Sequence, residues 1–491
     1  MGLRGMARRR AVLIWLLAAV AAFKLAILVV VGPSHAPDSG FYIVFADQIL
    51  DGSALGHLPW GPGAITGFAF RTVGYPLLLA LAKLLAPDWW AVLSIVLQSA
   101  LDLAVMALMF NVAERLLGSL VWTTVAVLVY ALSRSLLWDN SLLSDSLYAS
   151  LFNIVIFALL GGRLGCWRLS PLKIAGLAVL WGYSLWTRDN GLYFTFLPMV
   201  LLLAGPGRWS WRRLLSAAGF ATVVAAMVGA YTLFNWYRTG EAFFSLTGVQ
   251  NYLRPLFDMK AYGYADPFDG GDLISRTVRE TMTTYAYPAQ TQFIGTLDQR
   301  CDCTPTQLQS LIFAKFAGEV VRHPVAYLRV IVRNFDYFDL ASDLTDPINT
   351  FNDFLEEGTV YAARLIPGLS LRHLSQWRSY SPAMTVLMLI AGVTKILSAV
   401  VFTLFVGGIP VLWVRQWRNG GPIAVEMWAA AFLWLAFISV TAAFSLIHFE
   451  PRHALPVFPA AQLGITFILC AAAGRLHAYG RLPQVKIEVK P

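Results

Sequence analysis

Residues 8–31 read RRRAVLIWLLAAVAAFKLAILVVV: arginines end at Arg10, and from Ala11 to Val31 only Lys24 interrupts an apolar run. A helix rising 1.5 Å per residue needs about 20 predominantly apolar residues to cross a bilayer. The run therefore predicts a first crossing rather than the shorter apolar core of a cleaved leader, and no A-x-A-like cleavage pattern is evident after it. Similar runs lie at about 89–111, 117–135, 143–162, 171–187, 191–205, 214–235, 384–410, 424–447 and 455–474, which makes ten expected crossings, 171–187 and 191–205 being short. Composition agrees: 57% of the 491 residues are hydrophobic and 13% charged, and the mean hydropathy is +0.61, outside soluble globular usage. The expected fold class is an all-α polytopic membrane protein.

Basic residues near the crossing ends set the orientation. With the N-terminus inside, ten crossings gather Arg8, Arg9, Arg10, Arg115, Arg163, Arg168, Lys173, Arg212, Arg213, Arg415 and Arg418 on one side, with only Glu114, Glu426 and Glu488 as acids. The expectation is a multi-pass protein of the plasma (bacterial inner) membrane with both termini cytoplasmic. The net charge of +9 then reflects cytoplasmic anchoring and gives no argument for a nucleic-acid partner. The chain divides into an N-terminal transmembrane module, 1–235, containing a first outer loop, 32–88; an extracytoplasmic segment, 236–383; and C-terminal helices with a short tail, 384–491.

Both outer segments are too long to be plain connections. In the first, 41–50 and 75–85 are apolar but too short to span, which suits helices lying at the interface. In the second, Gln307–Val321 and Pro324–Phe338 read as two helices broken at His323. Arg329 and Arg333, four apart, share a face, read first as a solvated or headgroup-facing stripe and second as a substrate contact. No structural disulfide is expected among Cys166, Cys301, Cys303 and Cys470, and Cys301-Asp302-Cys303 reads as an exposed loop.

Ionisable groups at the membrane boundary are costly to desolvate and so are functional candidates. Asp38 can accept a proton from an attacking hydroxyl, or cap the helix after Pro37. Arg71 can hold a phosphate bidentately, or anchor to headgroups. Asp139 and Asp145 lie by the next outer loop. With Asp38, Asp139 can hold a divalent cation through oxygen ligands, the candidate cofactor, whereas Asp145 reads first as the cap of a helix starting at Ser146. Arg188 and Asp189 form either a local ion pair or a phosphate contact. His448, Glu450, Arg452 and His453 precede the last helix. Soluble-enzyme signatures such as G-x-S-x-G, H-E-x-x-H and a P-loop are absent.

In order, these residues resemble the C-type membrane glycosyltransferases, in the family 39-like branch of the protein O-mannosyltransferases and the transferase that adds aminoarabinose to lipid A. The resemblance rests on Asp38 with Tyr42 and Ala46, Arg71 through Gly74-Tyr75-Pro76-Leu77, Leu143-Ser144-Asp145-Ser146-Leu147, Trp186-Thr187-Arg188-Asp189-Asn190-Gly191, and Glu450-Pro451-Arg452-His453. The first loop lacks an Asp-Glu pair, and His453 stands where that family has an aromatic. The resemblance implies inverting transfer of a sugar from a polyprenyl-phosphate donor to a lipid or protein acceptor, with Asp38 as base and Arg71 and Arg452 on the phosphate. Two other classes compete: a transporter or flippase of envelope lipids, which places charges at the bilayer midplane as Lys24, Asp102 and Lys395 are here, and a non-catalytic envelope-assembly protein.

Overall fold

The computed structural model describes residues 3–36, 38–55, 71–205, 209–282, 287–335, 337–346, 381–418, 423–447 and 451–473. The first crossing, α1 (Leu3–Val31), is followed by two short helices, α2 (Ser39–Leu50) and α3 (Gly74–Leu85), and then by α4 (Trp90–Leu117). Next come α5 (Leu120–Ala131), the short α6 (Ser135–Asp139), α7 (Ser144–Arg163) and α8 (Pro171–Thr187). A 3-10 stretch, Asp189–Phe194, leads to α9 (Phe196–Leu203) and α10 (Trp211–Thr239). A lobe follows, made of α11 (Gly248–Ala261), α12 (Leu273–Thr281), α13 (Tyr287–Cys301), α14 (Pro305–Arg322) and α15 (Pro324–Asn334). The chain returns through α16 (Tyr337–Thr345) to α17 (Pro382–Arg418), α18 (Val425–Ile447), a 3-10 turn Pro451–Val457 and α19 (Phe458–Ala472).

Seven helical stretches among the described residues are long and apolar enough to span: α1, α4, α7, α10, α17, α18 and Arg452–Ala472. The chain is a multi-pass all-α membrane protein. Three expected crossings take shorter forms. The run 117–135 yields only α5, which starts at a Ser119 side-chain cap and stops where the Ser133 hydroxyl bonds the Tyr130 carbonyl. The run 171–187 is the 17-residue α8, and 191–205 divides into the 3-10 stretch and α9. That division follows from packing: a Cβ on Gly191 would lie 2.8 Å from Leu185, so the turn sits hard against the neighbouring helix. The two short apolar segments of the first loop form the helices α2 and α3.

Burial separates centre from rim. Buried positions make up 83% of the apolar window of α7 and 89% of that of Arg452–Ala472, against 22% for α1 and α10. The first two are thus the axis of the bundle, and the last two face lipid along most of their length. At one end of the bundle Arg9 pairs with Glu114, Arg115 donates to the Leu164 carbonyl and Arg163 to the Leu201 carbonyl. The opposite end carries the first-loop helices and the lobe.

At that end α3 is held by a close approach. A Cβ on Gly74 would lie 2.5 Å from the Trp186 carbonyl carbon and 2.6 Å from the Thr187 nitrogen, both backbone atoms. Tyr183 of α8 also donates to the Gly74 carbonyl at 2.8 Å. Gly74→Ala is therefore expected to lower the stability of the detergent-solubilised protein by about 1–3 kcal/mol. Gly40→Ala, on a helix with nothing within 4 Å of the new methyl, serves as control. Equal thermal midpoints for the two variants would refute the contact.

The lobe has its own core, in which Phe257, Phe268 and Phe293 cluster with Leu253, Leu297 and Ile312. Its helices are well capped. Thr304 and Gln307 form a reciprocal capping box that starts α14 two residues earlier than the apolar pattern suggested, and Pro305 stands at the first turn. Asp272 caps α12 by accepting from the Ser275 nitrogen at 2.9 Å and meets Lys315 at 2.9 Å. Burial pushes this carboxyl up, but the hydrogen bonds from Ser275 and the Lys315 ammonium outweigh it and hold it at about 2. A depressed folded-state pKa contributes stability above the ordinary carboxylate value and loses it as pH falls toward 2. Asp272→Asn, which keeps a capping acceptor but loses the charge facing Lys315, is accordingly expected to weaken α12 by about 0.2–1 kcal/mol at pH 7. Its hydrogen-exchange difference from wild type should shrink between pH 4 and 2, and a constant difference would argue against the pairing.

One expectation is overturned here. Cys301 and Cys303 are joined by a disulfide with Cα atoms 5.0 Å apart. The reason is local: α13 ends at Cys301, and Asp302 takes a left-handed conformation, φ 48°, which folds the two thiols toward one another.

Candidate functional site

The membrane helices and the lobe enclose a cavity of about 320 Å³ at this end of the bundle. Four guanidinium groups line it, those of Arg71, Arg188, Arg254 and Arg452, together with the carboxylates of Asp38 and Asp189. Ala443, Phe444, Leu446 and Ile447, at the end of the spanning helix α18, form an apolar wall. The cavity is thus cationic on one side and continuous with a bilayer-crossing surface on the other.

Asp38 stands at the start of α2, but its side chain makes no capping hydrogen bond. Its carboxylate instead meets Arg71 at 2.9 Å and lies 4.0 Å from Arg452. The segment bearing it is fastened at several points. The Ser34 N–H donates to the Asn140 carbonyl and the Ser34 carbonyl accepts from the Leu142 N–H, both at 2.9 Å. The Asn140 amide donates to the Gly32 carbonyl, and the Ser39 hydroxyl donates to the Leu142 carbonyl, each at 2.8 Å. Arg71 lies over the Tyr42 ring at 5.6 Å, and the Tyr42 hydroxyl shares a 2.8 Å hydrogen bond with Ser144. The Gly74 contact places Arg71 next to the end of α8, from which Arg188 enters.

Arg188 pairs with Asp145 of α7, not with its neighbour Asp189. Two sequence readings fail together for one reason. The helix begins at Ser144 with Leu143 at the cap position, so Asp145 lies in its first turn and turns its carboxylate to Arg188. Asp189 is left to accept from Ser245, at 2.6 Å, and from Thr247, both at the root of the lobe. Arg452 lies over the Trp138 ring at 5.9 Å, and His453 stacks on Phe444 with centroids 4.7 Å apart.

Of the sequence-predicted residues, Asp38, Tyr42, Arg71, Arg188, Arg452 and His453 line the cavity. Asp145 stands behind Arg188 as its counter-ion. Asp139 and Tyr75 do not line it. Tyr75 is fully buried, with its hydroxyl donating to Gln98 at 2.8 Å and its ring edge-on to Tyr42. Asp139 is buried against Lys24 and Ser146, and Lys24 also meets Asp102 at 2.7 Å, which in turn accepts from Tyr130 at 2.5 Å. Asp139, a candidate metal ligand by sequence, does not reach the cavity: its carboxylate pairs with a lysine in the bundle interior, where an isolated charge is expensive. Among the described residues no group of three or more His, Cys, Asp or Glu is placed to hold a metal ion. His448 and Glu450 lie outside the described residues.

Sequence reasoning missed the lobe's share of the cavity. Thr247, Gln250, Asn251 and Arg254 all line it, and their spacing of three, four and seven puts them on one face of α11. That polar stripe was readable in the sequence, but nothing there said which way it faced. Arg254 is steadied by Asp258 one turn on, at 3.3 Å, and Asp258 accepts from Asn334 at 2.8 Å.

No protein-family model matches this chain, and no curated protein matches it.

Proposed function

We propose that the cavity is the active site of a glycosyltransferase that takes a sugar from a polyprenyl-phosphate donor and passes it, with inversion, to a hydroxyl or phosphate acceptor. The observation carrying this reading is one carboxylate, Asp38, set between Arg71 and Arg452 in a cavity walled by the end of a membrane span. A lipid-phosphate ligand has the matching make-up: an anionic head for the guanidinium groups and an apolar tail for the bilayer beside α18.

In the proposed step the acceptor oxygen attacks the anomeric carbon while its proton passes to the Asp38 carboxylate. The bond from the anomeric carbon to the phosphate oxygen breaks, and polyprenyl phosphate leaves with the electron pair. Arg71, with Arg452 and Arg188, stabilises the charge that grows on the departing phosphate. The phosphate is the leaving group, so no nucleotide need be bound.

The finer topology belongs to the same proposal. Counting α5, α8 and the Asp189–Leu203 stretch as crossings built from shorter helices gives ten, with both termini in the cytoplasm and the cavity on the extracytoplasmic face of the plasma membrane. The basic residues at the far end support this. The Cys301–Cys303 disulfide in the lobe adds to it, since disulfides persist in oxidising compartments. A transport reading has the buried Lys24, Asp102 and Asp139 in its favour, but those groups saturate one another and do not line the cavity.

The test is incubation of the protein in lipid nanodiscs with radiolabelled polyprenyl-phosphate sugars and envelope lipid or protein acceptors. Wild type is expected to transfer label and Arg71→Ala to lose donor binding. If no donor is bound or consumed across a panel on which a working transferase of this kind is active, the proposal is wrong.

A further inference from the structure

Amide side chains inside this protein are mostly spent on internal hydrogen bonds: Asn140 on Gly32, Gln98 on Asp139 and Ser141, Asn235 on Phe243, Asn334 on Asp258. Three that line the cavity are not. Asn190, Gln250 and Asn251 make no side-chain hydrogen bond among the described residues, although all three are partly buried. Their polar atoms are open to the cavity, where a ligand can exchange hydrogen bonds with them. Each offers two donors and an acceptor with two lone pairs. Vicinal hydroxyls on a sugar ring, each both donor and acceptor, match that pattern, and a cavity of about 320 Å³ is at the small end of ligand pockets, which run from about 300 to 1,000 Å³.

We infer that Asn190, Gln250 and Asn251 form the subsite that reads the hydroxyls of the sugar ring. The inference rests on the glycosyltransferase reading for its phosphate anchor and adds the residues that recognise the sugar. Specificity then resides in the lobe, on α11, while the phosphate-holding residues reside chiefly on the membrane helices.

Isothermal titration of the full-length protein in nanodiscs with inorganic phosphate and hexose 1-phosphates tests it. A hexose 1-phosphate is expected to bind about tenfold more tightly than inorganic phosphate. In the Gln250→Ala/Asn251→Ala double variant the hexose preference is expected to disappear while phosphate affinity stays within twofold of wild type. An unchanged thermal midpoint guards against misfolding, and Gln250→Glu, which keeps the acceptors but loses the donors, gives an intermediate preference if the amide contact is direct. Phosphate binding without any sugar preference, or a preference that survives the double variant, would each overturn the inference and leave the phosphate site standing. Absence of all binding, phosphate included, would overturn the phosphate anchor and the inference with it.

Discussion

Asp38→Asn is expected to reduce sugar transfer by about 10²–10⁴-fold, the usual contribution of a positioned general base. Donor binding should hold or tighten, because removing the carboxylate frees Arg71 and Arg452 from a competing anion. The signature is therefore a fall in kcat with an unchanged or lower KM, measured with radiolabelled donor in nanodiscs. Arg71→Ala should do the reverse and weaken donor binding first. The two variants separate a proton acceptor from a residue that merely holds the loop, since loss of the Asp38–Arg71 pair is common to both. Turnover by Asp38→Asn within a few-fold of wild type would remove Asp38 from the chemistry.

The second large effect is on stability. Lys24 is buried between Asp102 and Asp139, and Lys24→Met would strand two carboxylates in the bundle interior. Breaking a buried ion pair by deleting one partner costs about 3–5 kcal/mol, more than the pair itself contributes, because the remaining charge keeps its desolvation penalty. A fall in the thermal midpoint of the solubilised protein is expected. The triple variant Lys24→Met/Asp102→Asn/Asp139→Asn should recover much of it by removing the charges altogether. A triple variant as unstable as Lys24→Met would show that the loss lies in packing and not in stranded charge. The same cluster positions the first loop: Asp139 and Asn140 are adjacent, and Asn140 bonds the backbone that precedes Asp38.

The membrane character of the fold is legible in the sequence because bilayer thickness converts directly into run length. What run length leaves open is how a run is divided. The 191–205 stretch reads as one crossing, yet it divides at Thr195, after a 3-10 segment that packs at Gly191 against Leu185 and Tyr148, neighbours that only the tertiary structure brings together. The site shows the same division. Asp38, Arg71, Arg188 and Arg452 stand out because charge is rare at the membrane boundary, and the cavity gathers all four. Asp139 stands out for the same reason but points inward to a lysine 115 positions away, a partner no local pattern names. Asp145 and Arg188, 43 apart, are in the same position. In the lobe polar residues are common, so Gln250, Asn251 and Arg254 carry no such contrast, and only their helical spacing sets them apart. The Cys301–Cys303 bond depends on one residue adopting a left-handed conformation, which composition does not disclose.

The attachment of the lobe through Asp189 has a thermodynamic corollary. Ser245 and Thr247 hold the lobe to the turn after α8 by hydrogen bonds to one carboxylate, and Gly240, φ 78°, joins the lobe to α10. A molecule filling the cavity touches α11 on one side and the Asp38 segment on the other, so it adds a further bridge between the same two bodies. By linkage, whatever factor occupancy contributes to docking of the lobe, docking contributes to affinity. Loosening the Asp189 latch should consequently weaken a cavity ligand through its contacts with α11, beyond any contact it makes with Asp189 itself.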